Sequence, residues 1–261
     1  MSNSPVNRRK QIIDILGQTD YADVTYLSNV FNVSEMTIRR DIDRLEKDNE
    51  VIRVYGGVKL KTKRLYEASI EERLKSNHSE KMAIARIAAG LINDGDVIAF
   101  DASTTALEVS KLIKDKEKLT VVTNNISIAI ELSDTPGIAV ILLGGFLRDK
   151  SLSLVGPSIK KFLESIYIDK AFFSAKALNF HEGLTDSTID EGEAKQAMIE
   201  KTSQLNVIAD RSKLGCVSFF KICGKERIDR IITDELEPYT PKQKECVTSY
   251  KTYGTEVVIA K

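Results

Sequence analysis

Cysteine and histidine are scarce in this chain, which has three Cys and two His in 261 residues. Cys216, Cys223 and Cys246 are odd in number and form no C-x-x-C pair. That excludes a disulfide framework or a zinc ribbon as the organising principle, and reduced thiols in a cytoplasmic protein are expected. His78 and His181 have no partner at metal-ligand spacing, so no metal and no cofactor is expected. Net charge is also missing: 38 Lys and Arg balance 38 Asp and Glu. Such a balance argues against a nucleic-acid coat protein, though not against a small basic head on a larger body. No apolar run approaches the roughly 20 residues of a membrane span. The N-terminal M-S-N-S-P-V-N-R-R-K lacks the apolar segment of a signal peptide. What is present is ordinary for a globular chain, with 42% hydrophobic and 29% charged residues, enough for a sizeable core. The length implies more than one domain or one large α/β unit.

The most informative stretch runs from Val24 to Tyr55 and is followed by Gly56-Gly57. The pattern predicts a first helix over Arg8–Leu16, stopped by Gly17, and a polar connection from Asp20 to Asp23. A second helix begins at Val24-Thr25, with Leu27, Val30 and Phe31 facing inward, and Asn32-Val33 forms the turn. Ser34 caps a third helix. Met36, Ile38, Ile42 and Leu45 are expected on its core side, leaving Thr37, Arg39, Arg40 and Arg44 outside. Asp41 is expected to orient an arginine, since phosphates repel a carboxylate. The alternation over Val51–Lys59, with its two glycines, fits a β-hairpin wing that brings Arg53 and Lys59 to a nucleic-acid backbone. Outward Arg and Thr on such a helix read guanine edges and hold phosphates. The expected DNA-contacting set is Thr25, Ser34, Glu35, Met36, Thr37, Arg39, Arg40, Arg44, Arg53, Gly56 and Gly57, so Met36 is counted both ways. Residues 1–66 carry 12 basic and 9 acidic side chains, too weak an electrostatic footprint to point to DNA by itself.

Residues 60–79 are polar and charged and are read as a linker, with Glu71-Glu72-Arg73 on a solvated helical face. From Glu80 onward, short apolar strands alternate with amphipathic helices. Strands are expected at Val97–Phe100, Leu119–Thr123, Ile138–Leu143, Ile168–Ser174, Leu205–Ala209, Ile228–Thr233 and Glu256–Ala260. Helices are expected at 82–92, 105–113, 126–132, 157–165 and 191–202. That alternation implies a mainly parallel sheet covered on both faces, with its ligand site beyond the carboxyl ends of the strands. Those ends carry D-A-S-T-T from Asp101, T-N-N from Thr123, G-G-F-L-R from Gly144 and A-K at Ala175-Lys176. Hydroxyls and free N–H groups at a helix start suit a phosphate, and glycines with an arginine allow close approach and fixed charge. A single S-T-T turn is a plain N-cap; recurrence at successive strand ends makes a site.

The run from capped turn through Arg39-Arg40 to the glycine wing closely resembles the helix-turn-helix of DeoR-family bacterial transcriptional repressors. The resemblance continues through D-A-S-T-T, V-V-T-N, L-L-G-G-F-L-R, S-L-V-G-P, E-G-L-T, E-G-E-A-K-Q-A-M and I-A-D-R-S-K, almost to the end of the chain. It implies a winged helix-turn-helix domain over residues 1–59 and a Rossmann-like, mainly parallel α/β sensor domain over 80–261, similar in fold to ribose-5-phosphate isomerase. It further implies a repressor of a carbohydrate operon, acting as a homo-oligomer (dimer or tetramer) on double-stranded operator DNA. A phosphorylated sugar would be held by Asp101, Ser103, Thr104, Thr105, Asn124, Gly145, Arg148, Lys176, Glu191 and Lys195. Two positions depart from the family pattern. Ser103 replaces the usual glycine of a G-T-T turn, and Ser174-Ala175-Lys176 replaces a glycine-containing G-A turn.

Two other readings compete. Asp190, Glu191, Glu193 and Lys195 could serve a sugar-phosphate isomerase with an accessory head, although Glu191 and Lys195, four apart, also fit a plain helix-surface pair. The head could instead bind protein. Both remain open at the level of sequence.

Overall fold

The computed structural model describes residues 5–19, 21–48, 50–54, 56–60 and 70–261. They divide into two compact units, Met1–Ala68 and Ser69–Lys261. Asp20, Tyr55 and residues 61–69 of the expected linker lie outside the described residues.

The first unit contains α1 (Pro5–Thr19), β1 (Ala22–Asp23), α2 (Val24–Phe31), α3 (Glu35–Lys47), β2 (Val51–Val54) and β3 (Gly57–Leu60). Gly17 does not stop α1, which runs on to Thr19. One interior glycine costs only about 1 kcal/mol, and fully buried Ile12 and Leu16 pack the helix onto its neighbours. The Asp23 side chain accepts from the Tyr26 N–H (2.6 Å) and starts α2. Asn32, in the left-handed region at φ 50°, ends it. Ser34 then caps α3 by accepting from the Thr37 N–H (3.3 Å). Ile38, Ile42 and Leu45 are buried as expected, but Met36 is 60% exposed. Two residues before Ile38 lie about 200° round the helix, so Met36 cannot share the face that the i, i+4, i+7 set makes. Val30, also expected inside, is 48% exposed. β2 and β3 pair antiparallel as a hairpin, and β1 adds to the outer side of β3. A side chain at Gly57 would lie 2.4 Å from the Ala22 carbonyl oxygen, so the three-stranded wing closes only with glycine there.

The second unit runs α4 (Ile70–Lys75), α5 (His78–Ala89), β4 (Val97–Phe100), α6 (Thr104–Lys111), β5 (Leu119–Thr123), α7 (Ile126–Leu132), β6 (Ile138–Leu142), β7 (Phe146–Arg148), β8 (Ser153–Val155) and α8 (Ser158–Leu163). It continues with β9 (Ile168–Phe173), β10 (Ala177–Asn179), β11 (Gly183–Asp186), α9 (Ile189–Glu200), β12 (Thr202–Ile208), β13 (Phe220–Cys223), β14 (Arg230–Asp234), α10 (Pro241–Tyr253) and β15 (Glu256–Ala260). Seven strands form one sheet in the order β15-β14-β12-β9-β4-β5-β6, every neighbouring pair parallel. Strand residues alternate between two cores. Ile98, Phe100, Val121 and Phe172 pack with α5, α6 and α7 on one face. Ala99, Val122, Ala171, Phe173 and Val207 pack with α8, α9 and α10 on the other. This doubly wound arrangement reverses its strand order between β4 and β9, where open α/β sheets bind ligands.

Three parts of this unit differ from the expectation. Residues 183–186, outside every expected strand, form β11, which pairs with β10 and β13 in a small antiparallel sheet. Helix α10 was not foreseen; it starts at a capping box between Thr240 and Gln243. Residues 70–79, read as linker, form α4 and the start of α5, and Arg73 turns inward rather than facing solvent.

Candidate functional sites

In the first unit the outward surface of α3 is laced with carboxylates. Thr25 Oγ1 donates to Glu35 Oε1 (2.8 Å), joining the start of α2 to the start of α3. Arg39 reaches the other Glu35 oxygen at 3.4 Å, and Arg44 pairs with Asp48 at 3.3 Å. Arg53, on the wing, bonds Asp43, Glu46 (3.1 Å) and the Arg39 carbonyl (3.3 Å), so it braces β2 against α3. Arg40 is exposed and has no ion pair among the described residues. Exposed pairs of this kind are worth about 0–1 kcal/mol each, so the arginines can exchange carboxylates for phosphates. Ser34 and Thr37 share a hydroxyl contact at 2.9 Å. Asp41 is buried and holds Arg8 of α1 at 2.6 Å; it orients an arginine as expected, from below the helix. Gly56 (φ +78°) and Gly57 make the wing turn.

In the second unit the expected residues gather around the reversal point of the sheet. Asp101 leaves β4 fully buried. Its carboxylate accepts from the backbone N–H of Ser103 (3.3 Å) and of Ser174 (3.0 Å), the latter just after β9. Lys195 of α9 enters from the helix layer. Its Nζ lies 3.2 Å from Asp101 and 2.6 Å from Asp186, and donates to the Ser174 carbonyl (3.0 Å). Ser103 has φ −91° and caps α6 by accepting from the Ala106 N–H (3.0 Å), so no glycine conformation is needed at this departure from the family pattern. Thr104 and Thr105 are buried on the first turn of α6, and Thr104 Oγ1 donates to the Arg73 carbonyl (3.4 Å). Lys176 is half-buried in the loop between β9 and β10.

A second group joins this one through Glu191, four residues before Lys195 on α9. Glu191 Oε1 accepts from Arg148 (3.0 Å), Ser151 (2.8 Å) and Ser153, all on the β7–β8 hairpin. Asn124, after β5, donates to the Leu154 carbonyl (3.1 Å) on the same hairpin. Gly145 has a packing reason: a side chain there would meet the Val155 carbonyl oxygen at 2.2 Å.

Several buried polar atoms in this network lack a partner among the described residues: Arg73 Nε and Nη2, Asn124 Oδ1, Thr188 Oγ1 and Glu191 Oε2. Native proteins pair almost all such atoms, so these orphans make the reversal point a candidate site for a polar ligand. Arg73, from the stretch read as linker, also donates to the Ala102 carbonyl at 3.4 Å. Lys81 fixes the chain at this point, donating to the Arg73 carbonyl and to that of Ser76 (2.5 Å); burial pulls its ammonium down to about 8.

The electrostatics divide the two aspartates. Burial works against the Lys195 charge, but Asp186, then Asp101 and Glu191, outweigh it and raise the lysine above its ordinary value. Burial likewise opposes charge on Asp186, yet the Lys195 charge and hydrogen bond hold that carboxyl below the usual range. For Asp101 burial dominates, and its carboxyl is raised in spite of Lys195. The site therefore keeps a permanent ammonium, one firm carboxylate and one that accepts a proton more readily. Asp186, Ser151, Ser153 and Arg73 were missed from sequence. Asp186 directly follows the quoted E-G-L-T and was within reach, whereas Arg73 stands in a charged run with no local sign of burial.

The chain matches two family models, a DeoR-like helix-turn-helix domain over residues 8–64 and a DeoR C terminal sensor domain over 76–235. It is 40% identical over 239 residues to the HTH-type transcriptional regulator YulB of Bacillus subtilis (strain 168), covering 91% of this chain and 92% of that one. It is 38% identical over 235 residues to the HTH-type transcriptional repressor GlcR of the same organism, covering 90% and 89%. Among solved structures, ribose 5-phosphate isomerase A from Methanocaldococcus jannaschii aligns with 53% of this chain and 55% of that chain, at 16% identity and a TM-score of 0.40. The near full-length relatives are regulators by name, not isomerases. Among the described residues no helix is long and apolar enough to cross a membrane.

Proposed function

This chain belongs to the DeoR family of DNA-binding transcriptional regulators, and from that premise we propose that it is a cytoplasmic repressor of a carbohydrate operon, controlled by a phosphorylated sugar held at the reversal point of its parallel sheet. One observation carries the effector half of this reading: the buried orphan atoms of Arg73, Asn124, Thr188 and Glu191. Two guanidinium nitrogens ask for acceptors, and a phosphate supplies them. Asn124 Oδ1 and Glu191 Oε2 ask for donors, and sugar hydroxyls supply those. Lys195 keeps Asp186 ionised and in place, so the pocket is organised before the ligand enters. The residues around it are Asp101, Ser103, Thr104, Thr105, Asn124, Arg148, Lys176, Glu191 and Lys195, joined by Arg73 and Asp186. GlcR, named as a repressor, supports that direction of control here.

Operator DNA would be gripped by the first turns of α3 and by the wing, with Arg39, Arg40, Arg44 and Arg53 toward the duplex. A homo-oligomer would place two heads on repeated half-sites. Effector and operator must then influence each other equally: if the sugar phosphate changes operator affinity by some factor, the operator changes sugar-phosphate affinity by the same factor. A coupling of about 1–3 kcal/mol would give roughly 5–150-fold.

The test is a gel shift on the DNA upstream of this protein's own gene, repeated with phosphorylated sugars and their unphosphorylated counterparts. A shift altered by one phosphorylated sugar, and not by its unphosphorylated form, is the expected result. A shift that responds equally to both forms would overturn the phosphate reading of Arg73.

A further inference from the structure

Helix α3 turns Ile38, Ile42 and Leu45 into the core. At about 100° per residue, the centre of its opposite face falls on Met36, Arg40, Asp43 and Lys47. Asp43 is engaged by Arg53 of the wing, and Lys47 lies on the last turn. The first turn is the part that a helix-turn-helix brings to base edges in the major groove.

Three outward side chains stand on that turn, and two are already held. Glu35 is bonded by Thr25 and Arg39. Thr37 is bonded by Ser34. The third is Met36, 60% exposed. It is a long apolar side chain in water, on a helix whose other outward residues over 35–47 are polar or charged. It adds nothing to the buried cluster of this unit. Scattered apolar surface residues are common, but this one occupies the centre of the face that meets the groove. In the major groove only thymine presents an apolar group, its 5-methyl.

We propose that Met36 is a specificity-determining residue that reads the 5-methyl group of a thymine in each operator half-site. The inference rests on the DNA-binding reading of α3. Met36 packs on the methyl and excludes water from it, while Arg40, one turn further along the same face, lies within reach of the neighbouring base pairs. A cytosine at that position would lack the methyl and present an amino donor to the thioether chain.

The test works without knowing the operator sequence. Full-length protein selects duplexes from a random-sequence pool, and binding to the enriched duplex is measured with each thymine replaced singly by deoxyuridine, which removes only the 5-methyl. Burial of one methyl is worth about a four-fold change in affinity. The wild-type protein is expected to lose about that much at one thymine per half-site. Met36→Ala and Met36→Gln are expected to bind thymine and uracil duplexes equally at that position, and Met36→Leu to keep the discrimination. Uracil sensitivity unchanged in both Met36→Ala and Met36→Gln, or absent from the wild type, would overturn the assignment of Met36 while leaving DNA binding in place. Failure of the wild-type protein to enrich any sequence would overturn the DNA reading of α3, and this inference with it.

Discussion

Arg8 of α1 and Asp41 of α3 form an ion pair at 2.6 Å whose side chains are 7% and 6% exposed. The pair ties the first helix of the head to the underside of the recognition helix. Removing one partner of such a buried pair costs about 3 kcal/mol. Asp41→Ala is therefore expected to speed amide hydrogen exchange throughout α1 and α3 by roughly 100-fold, leaving β4, β5 and β9 unchanged. The double variant Arg8→Met, Asp41→Leu should recover much of the loss, because apolar replacement of both partners removes the cost of burying charge. Exchange in Asp41→Ala equal to that of the wild type would mean that the pair contributes nothing net.

On the outer face, Arg40 and Arg39 should behave alike in kind and differently in degree. Arg40 has no carboxylate partner among the described residues, whereas Arg39 must give up Glu35 to reach DNA. Arg40→Ala is expected to weaken operator binding by roughly 10–100-fold, the cost of one good base contact. Arg39→Ala should cost less, since its release from Glu35 offsets part of the gain. Both variants should keep the wild-type fold and effector affinity. Operator titrations by fluorescence anisotropy measure this, and unchanged binding in both would remove α3 from the interface.

How far the sequence could be read depended on whether a signal was local. Val97–Phe100, Leu119–Thr123, Ile126–Leu132 and Glu256–Ala260 have the expected bounds, since each is an apolar run or helical period closed by turn residues. The Ser34 cap and the wing glycines were equally legible. Helix α10 was not, because its only buried residues are Cys246, Val247 and Tyr250 in an otherwise polar segment. Strands β10, β11 and β13 are three or four residues long, too short for a period to show. Of the proposed effector site, the strand-end residues Asp101 and Asn124 were visible because topology sends ligands to strand ends. The hairpin's grip on Glu191 spans 38 to 43 residues of sequence, and Arg73 reaches the Ala102 carbonyl across 29 residues. Neither leaves a local trace.

The raised carboxyl of Asp101 predicts a pH dependence with a definite sign. Burial lifts it above the usual carboxylate range, so as pH falls it takes up a proton before an exposed aspartate would. The pocket then loses one negative charge while Lys195, raised by its two aspartates, keeps its positive one. Anion binding is therefore expected to tighten on acidification, as Asp101 takes up its proton. Asp101→Asn removes this titration, so its affinity should change less over the same range. A phosphate's own ionisation near pH 6 is common to both proteins and cancels in the comparison. Calorimetric affinities for the active sugar phosphate, measured in parallel for the two proteins, decide the matter; identical pH profiles would show that Asp101 does not titrate beside the ligand.

Arg73 offers the sharpest separation of effector binding from DNA binding. It lies in α4, at the start of the second unit, and two of its guanidinium nitrogens are buried without a partner among the described residues. A charge-assisted hydrogen bond of this type is worth about 1.5–3 kcal/mol, so Arg73→Ala should weaken sugar-phosphate affinity roughly 10–100-fold. Arg73→Lys retains the charge and loses the planar fork, and should fall between the two. Unphosphorylated sugar should bind wild type and both variants equally weakly, since it has nothing for the guanidinium to hold. Operator affinity without effector should stay at the wild-type value, because Arg73 belongs to the unit 69–261 and takes no part in α3 or the wing. The informative measurement is therefore a pair of titrations on each variant, effector alone and operator alone. A loss confined to the effector titration, graded from Lys to Ala, places the phosphate at Arg73. Wild-type effector affinity in Arg73→Ala would instead place the anionic end elsewhere in the pocket, with Lys195 and the first turn of α6 the next residues to change.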